Sequence, residues 1–278
     1  MTDNPSPAVY NVLVSKKSNL PVALTIAGSD SGGGAGMQAD LKTFAALGVH
    51  GACAVTCITA QNPKRVLGIQ ACAPAMVRKQ MQAVFAELPP AAVKTGMLYS
   101  AEIVRAVAKF FQSFPNVPLV VDPVIMATSG RQLLEPAAVK AMCEKLLPLA
   151  TLVTPNLAET AVLTGKLPRT IEDMRTAARA IHRRYGCAAL VKGGHLPGAK
   201  EAADIFFDGR NELLLTAPFV RGIRTHGTGC TYSAAIAAYL ARGFALSAAV
   251  GQAKQFISEA IAGSRKAGRH TVLNIFHP

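Results

Sequence analysis

A glycine turn in this sequence runs straight into a long apolar helix, and a thiol stands at the junction: residues 225–243 read THGTGCTYSAAIAAYLARG. Gly227, Thr228, Gly229 and Cys230 offer successive backbone N–H groups at a helix N-terminus, where the macrodipole amounts to about half a positive charge. Such a nest binds an anion and stabilises the negative charge that builds on a phosphoryl group in transfer. Phosphoryl transfer also needs a group to take the acceptor hydroxyl's proton. A thiol at a helix N-terminus has a lowered pKa, so Cys230 is expected to be thiolate near neutral pH and to act as that base. Read alone, the same residue is a small apolar side chain packed near a helix start. Both readings stay open at this level.

Three other stretches carry candidate chemistry. Asp122 ends the apolar run PLVVDP, and Pro123 holds it extended, which is expected to aim the carboxylate outward. One such acid suits a Mg²⁺ held mostly by water and phosphate oxygens, or is simply a solvated strand end. In TPNLAET, Asn156 and Glu159 have the spacing of an N-cap and its N3 partner. They are equally an amide and a carboxylate within reach of a nucleotide's phosphates or its metal waters. The loop AGSDSGGGAGMQADLKTF brings glycines 32, 33, 34 and 36 together ahead of a helix that begins near Gly36. Gly34 to Ala39 fit the G-x-G-x-x-A pattern, but a dinucleotide site also needs an acid closing strand two. That strand is read as ending in Thr59-Ala60-Gln61-Asn62, which speaks against a dinucleotide, and the Walker pattern is absent.

The elements that must position these residues alternate. Strands are expected at 21–28, 52–60, 91–96, 118–123, 151–155 and 188–194, with helices near 36–47, 74–88, 100–113, 136–147 and 171–185. Strands apolar on both faces with a helix between each pair imply a parallel sheet covered on both sides. Residues 203–218 read as a hairpin turning near Asp208-Gly209, followed by helices at about 230–242 and 246–265. In such sheets ligands bind beyond the carboxyl ends of the strands. Ser29, Asp30, Gln61, Asn62, Lys94, Thr95, Asp122, Asn156 and Lys192 all fall there.

The chain has 278 residues, half of them hydrophobic, no Trp and a formal charge of +13. That charge favours anionic partners such as nucleotides and phosphorylated metabolites. Arg175, Arg179 and Arg183 form a stripe at helical spacing, read as a solvated face; no aromatic platform accompanies it to suggest nucleic acid. The six cysteines are scattered without C-x-x-C or metal-ligand spacing, which points to a reducing, cytoplasmic setting rather than a disulfide or zinc framework. Residues 1–20 have no secretory pattern and read as a loosely docked extension. The longest apolar stretch, 234–241, is too short to span a bilayer, so no membrane partner is expected.

Taken in order, ALTIAGSDSGGGAGMQADLKTF, TAQN, VKTGML, VVDPVIMATSG, TPNLAE, LVKGGH and THGTGCTYSAAIAAYLA resemble the hydroxymethylpyrimidine/phosphomethylpyrimidine kinases of thiamine biosynthesis. The likeness runs from about residue 22 to 265. It implies an α/β, ribokinase-like three-layer sandwich over residues 21–278, with a mostly parallel central sheet, helices on both faces and usually a homodimer. It implies ATP and Mg²⁺ as cofactors, and two phosphoryl transfers: to 4-amino-5-hydroxymethyl-2-methylpyrimidine, then to its monophosphate. On this resemblance Gln61 hydrogen-bonds the aminopyrimidine edge, and Gly28, Asp40, Thr59, Met97 and Val124 complete the pocket. Asp122, Asn156 and Glu159 fall on the nucleotide and metal side, with Asp122 and Glu159 reaching Mg²⁺ through water, and Lys192 contacts the nucleotide. Gly227, Thr228 and Gly229 form the anion hole, and Cys230 is catalytic. Arg131 stands where the family often has Asp, and AGRHTVLNIF departs from the usual GHGPVN-like tail around His270. No second catalytic module is expected.

A pyridoxine/pyridoxal kinase on the same scaffold is the nearest alternative, because its acceptor is also a heteroaromatic ring with a hydroxymethyl arm. A non-catalytic nucleotide or nucleic-acid binder is the remote one.

Overall fold

The computed structural model describes residues 19–126, 133–194, 196–220 and 226–276. Readings placed on residues 1–18 and on Arg131 lie outside these. The chain begins with β1 (Val22–Ala27), α1 (Gly36–Ala46) and β2 (His50–Val55). A hairpin of β3 (Cys57–Asn62) and β4 (Arg65–Ala71) follows, then α2 (Pro74–Glu87), β5 (Ala92–Thr95), α3 (Ala101–Phe111) and β6 (Leu119–Val121). Next come α4 (Pro136–Ala141), β7 (Leu152–Val153), α5 (Leu157–Thr164), α6 (Ile171–Tyr185), β8 (Ala188–Gly193) and the antiparallel pair β9 (Glu201–Phe207) and β10 (Glu212–Pro218). The described chain closes with α7 (Thr228–Ala241), α8 (Leu246–Ala262) and a short hairpin, β11 (Arg265–Ala267) and β12 (His270–Val272), which carries His270.

Eight strands form one sheet in the order β10-β9-β8-β7-β6-β5-β1-β2, parallel from β2 through β8 and antiparallel at β9 and β10. Successive residues point to opposite faces, and both faces are buried. Leu24, Ile26, Val93, Leu119, Val121, Val191 and Ile205 pack on α2, α3 and α6 through Val77, Met81, Val104, Val107, Met174 and Ile181. Their neighbours Ala23, Ala92, Val120, Leu152, Ala188 and Leu190 pack on Phe44 of α1 and on α7 and α8. Small residues dominate this second face, and α7 answers with Ala234, Ala235, Ala237 and Ala238, all fully buried. Alanine against alanine lets α7 lie close to the sheet, and a helix apolar on nearly every side belongs in an interior.

Two expected elements are corrected. The run 52–60 is two strands, because Thr56 turns the chain: its N–H donates to the Ala27 carbonyl and its hydroxyl to the Met97 carbonyl at 2.6 Å. The TAQN segment therefore lies on a separate two-stranded hairpin beside the sheet ends, not on strand two. The helix expected at 136–147 ends its α-helical part at Ala141, continues as a π turn at Met142–Leu146 and tightens to a 3₁₀ turn at Leu147–Leu149. Pro148 has no N–H to donate and cannot continue the α ladder. Arg175 and Arg179, read as a solvated stripe, both pair with Glu212 of β10.

Candidate active site

β1 delivers the chain into the glycine loop, and Asp30 organises it. Asp30 Oδ1 accepts from Gly32 N–H at 2.8 Å, and Oδ2 accepts from Gly34 and Ala35 N–H at 3.2 and 2.8 Å. Burial opposes ionisation of Asp30, but His226 and these N–H groups outweigh it and hold its carboxyl below the usual carboxylate range. The loop so shaped closes on the head of α7. Gly227 has φ +84°, and a Cβ there would strike the Gly34 carbonyl. Only glycine satisfies both demands.

Cys230 sits half-buried in the first turn of α7, close enough to the Gly36 amide at the head of α1 for that N–H to favour its ionised form. Two helix N-termini therefore face one thiol. The expected lowered pKa is nonetheless overturned: burial pushes Cys230 up to about 11. The Lys94 ammonium pulls it down, while Asp122 and Asp40 add negative charge nearby and push it up. In this environment Cys230 is a neutral thiol at pH 7.

Lys94, on β5, and Asp40, on α1, form a fully buried ion pair that spacing along the chain did not reveal. Lys94 Nζ is 2.8 Å from both Asp40 oxygens, and the Thr25 hydroxyl donates to Asp40 at 2.6 Å. Burial favours neutral Lys94, but Asp40 outweighs it and holds the ammonium charged. Burial also raises Asp40 against the pull of Lys94. Asp40 thus lies beneath the pocket with no exposed surface, its carboxylate fully engaged.

Beyond β6, Asp122 is 4% exposed and does not project outward. It turns in beneath α7, where it accepts from Lys192 Nζ at 3.1 Å and from the Thr154 and Ser233 hydroxyls, both at 3.3 Å. Lys192 lies at the end of β8; burial acts to neutralise it, and Asp122 and Glu159 hold it protonated. A Cβ on Gly229 would come within 3.2 Å of Lys192 Nζ, so the ammonium lies against the glycine turn. Asn156 and Lys192 are bridged neighbours through the Lys192 N–H to the Pro155 carbonyl, 2.8 Å.

Asn156 and Glu159 form the capping box of α5: Glu159 N–H donates to Asn156 Oδ1 and Asn156 N–H to Glu159 Oε2, both at 2.9 Å. Glu159 Oε1 also accepts from Ile125 N–H at 3.2 Å. That contact pins the turn after Asp122-Pro123, where Val124 has φ +44°, an unusual conformation for a β-branched residue. Burial pushes Glu159 above the ordinary carboxylate range against the pull of Lys192.

The remaining pocket residues cluster at the other end of the cleft. Thr59 is pinned to the loop, with its hydroxyl donating to the Ser29 carbonyl at 2.6 Å and its N–H to Ser29 Oγ at 3.1 Å. Gln61 N–H donates to Ser31 Oγ, and Ser31 Oγ–H donates to the Gln61 carbonyl, at 2.8 and 2.7 Å. A Cβ on Gly28 would press on Cys57 Sγ and the Met97 methyl, so glycine leaves space above them. Gln61 Nε2 lies 3.1 Å from His226 Nε2, which is also 3.1 Å from Asp30 Oδ2.

The cleft has one end lined by an amide, a glycine and a thioether, and the other by Lys192, Asp122 and a helix N-terminus, with the Cys230 thiol at the glycine turn. These groups suit a flat polar ring on the Gln61 side and an anion on the Lys192 side. Sequence reasoning missed His226, the pairing of Lys94 with Asp40 and the organising role of Asp30. Asp30 and Lys94 were among the strand-end polar residues, but nothing local tied them to partners.

Residues 30–274 match the phosphomethylpyrimidine kinase family. A hydroxymethylpyrimidine/phosphomethylpyrimidine kinase of Rhizobium meliloti (strain 1021) is 52% identical over 244 residues, 87% of this chain and 91% of that one. Among solved structures, an ADP complex of Bacillus subtilis pyridoxal kinase aligns with TM-score 0.85 at 36% identity, covering 92% of this chain and 97% of that one. Phosphomethylpyrimidine kinase from Clostridium difficile 630 aligns with TM-score 0.77 at 40% identity, covering 86% and 99%. A glycine turn at a helix head, a thiol beside it and a sheet of this order thus meet a match over most of the chain: it belongs to the phosphomethylpyrimidine kinase family, the hydroxymethylpyrimidine and phosphomethylpyrimidine kinases of thiamine biosynthesis.

Proposed function

We propose the following division of labour in the two transfers, from ATP to the hydroxymethylpyrimidine and then to its monophosphate. Gln61 reads the aminopyrimidine edge, and Gly28, Thr59, Met97 and Val124 shape the space for the ring. Asp40 supports the pocket floor through Lys94 and Thr25. Lys192 and the N–H groups of Gly227, Thr228 and Gly229 hold the transferring phosphoryl group, whose charge they stabilise as it builds. Cys230 lies where the substrate's hydroxyl must approach, and the thiolate form of its sulfur, scarce at pH 7 and more abundant as pH rises toward 11, takes the hydroxyl proton. Lys192 supports this reading most directly: its ammonium lies against Gly229 at the head of α7.

Asp122 and Glu159 present an all-oxygen donor set, which fits a hard cation that completes its shell with phosphate and water. The two Glu159 oxygens each accept a backbone N–H, so this residue meets a metal through water only. Mg²⁺, when bound, supplies charge neutralisation across the phosphates. Asn156 stays on the nucleotide side through its bridge to Lys192.

All six cysteines are free, which suits the cytoplasm. Ile58 and Leu67 on the β3–β4 hairpin are 56% and 62% exposed, and we assign this apolar face to a homodimer of the single domain spanning 21–278. Sedimentation tests it: Ile58→Lys should yield monomer, and a wild-type monomer rules the assignment out.

Incubation with MgATP and, separately, the pyrimidine alcohol, its monophosphate, pyridoxine and pyridoxal, with ADP release followed, tests the whole reading. Turnover of both pyrimidines is expected. The likeness to pyridoxal kinases makes the B6 forms the informative second arm, and turnover of those alone would replace the pyrimidine reading.

A further inference from the structure

His226 immediately precedes the glycine turn, yet its ring reaches across the cleft mouth. Nε2 lies 3.1 Å from Asp30 Oδ2 and 3.1 Å from Gln61 Nε2, a position that a half-turn of the amide would give to Oε1. Asp30 Oδ2 already accepts from Gly34 and Ala35 N–H, and a carboxylate only accepts. His226 Nε2 must therefore carry the proton. Nδ1 is buried and finds no partner among the described residues. A bare lone pair is cheaper to leave unpaired than an N–H, so this too favours the proton on Nε2.

The protonated Nε2 decides how Gln61 faces. An N–H facing the amide NH₂ sets donor against donor; turning the amide by half a turn puts its carbonyl there instead, and the N–H is then shared between two acceptors, Asp30 Oδ2 and Gln61 Oε1. The carbonyl oxygen has a second lone pair, and the NH₂ group is left to point the other way. A glutamine so held offers one acceptor and one donor in a fixed order. That order matches a ring bearing an exocyclic amino group beside a bare ring nitrogen. It opposes a ring bearing an oxo group beside a ring N–H. A glutamine free to rotate half a turn would read either.

We propose that His226 is the positioning residue that fixes the orientation of the Gln61 amide, and so makes the pocket select an amino over an oxo substituent on the pyrimidine. This rests on Gln61 being the residue that reads the ring. His226 touches no reacting atom; it acts through Gln61, and Asp30 holds it in place.

The test compares kcat/KM for the 4-amino pyrimidine alcohol with that for its 4-oxo analogue. In His226→Ala the preference for the amino ring should fall about tenfold or more, while the KM for ATP stays within about twofold of wild type. His226→Gln, whose side-chain N–H reaches the former Nε2 position, should restore the preference. An unchanged preference in His226→Ala, with both substrates slowed alike, would overturn the proposal. Gln61→Ala separates the two levels: if it too leaves the preference intact, the assignment of Gln61 has failed rather than that of His226. Nitrogen NMR of the wild-type protein provides a check independent of any variant. A proton on His226 Nε2 is expected, and a bare Nε2 would refute the proposal.

Discussion

The Gly36 amide at the head of α1 favours ionisation of the Cys230 thiol at the head of α7, so one thiol feels the start of two helices. Both helix ends favour thiolate, yet burial and the carboxylates of Asp122 and Asp40 prevail and place the pKa at about 11. At pH 7 the thiolate fraction is then about 10⁻⁴. If sulfur takes the hydroxyl proton, kcat rises with pH from 6 toward 10, since deprotonation makes the base. Cys230→Ala should lower kcat by about 10²–10⁴ and flatten that rise, with the KM for ATP nearly kept. A variant turning over at the wild-type rate would return Cys230 to packing. The same shift has a stability sign: a folded pKa above the unfolded value stabilises below about pH 8.5, and that contribution fades as pH climbs toward 11.

Gln61 stands on a hairpin docked to the loop through Ser29 and Ser31, whereas Lys192 lies at the end of β8. Gln61→Ala is expected to raise the KM for the pyrimidine and leave that for ATP unchanged. Steady-state kinetics with each substrate varied in turn decides it, and equal effects on both would remove Gln61 from the ring pocket.

The Lys94–Asp40 pair has no exposed surface. Removing one partner strands the other charge in the interior, so Lys94→Met should cost about 3–5 kcal/mol in denaturant unfolding. The double variant Lys94→Met with Asp40→Leu should recover most of that loss. A double variant no more stable than the single one would show that the pair is not coupled.

Glu159 is committed on both oxygens, to Asn156 N–H and Ile125 N–H. Glu159→Gln can satisfy only one of them with its carbonyl, and its NH₂ faces the other donor. A loss of about 1–3 kcal/mol is expected, together with a weaker response to Mg²⁺. Unchanged stability with a raised Mg²⁺ requirement would confine Glu159 to the metal side.

Much of the architecture can be read along the chain. β1, β5 and β8 are short apolar runs bounded by turn residues, α6 has a helical stripe and a Thr170 cap, and Asp208-Gly209 marks the turn between β9 and β10. These are local properties, and local residues decide them. The glycine turn at 227–229 and the Asn156–Glu159 box are likewise short-range patterns, so they could be placed without a structure. The break at Thr56 could not, because its hydroxyl is held by the Met97 carbonyl, 41 residues away in sequence.

The sequence by itself determined which chemical groups exist here and which local turns present them: a thiol after a glycine bend, an acid before a proline, an amide after a strand-like run. Only the tertiary structure decided how those groups behave. His226 meets Asp30 across 196 residues and Lys94 meets Asp40 across 54. Cys230 is a neutral thiol because packing removes water and brings carboxylates near. Charge and solvent act through space, and spacing along the chain does not encode that distance.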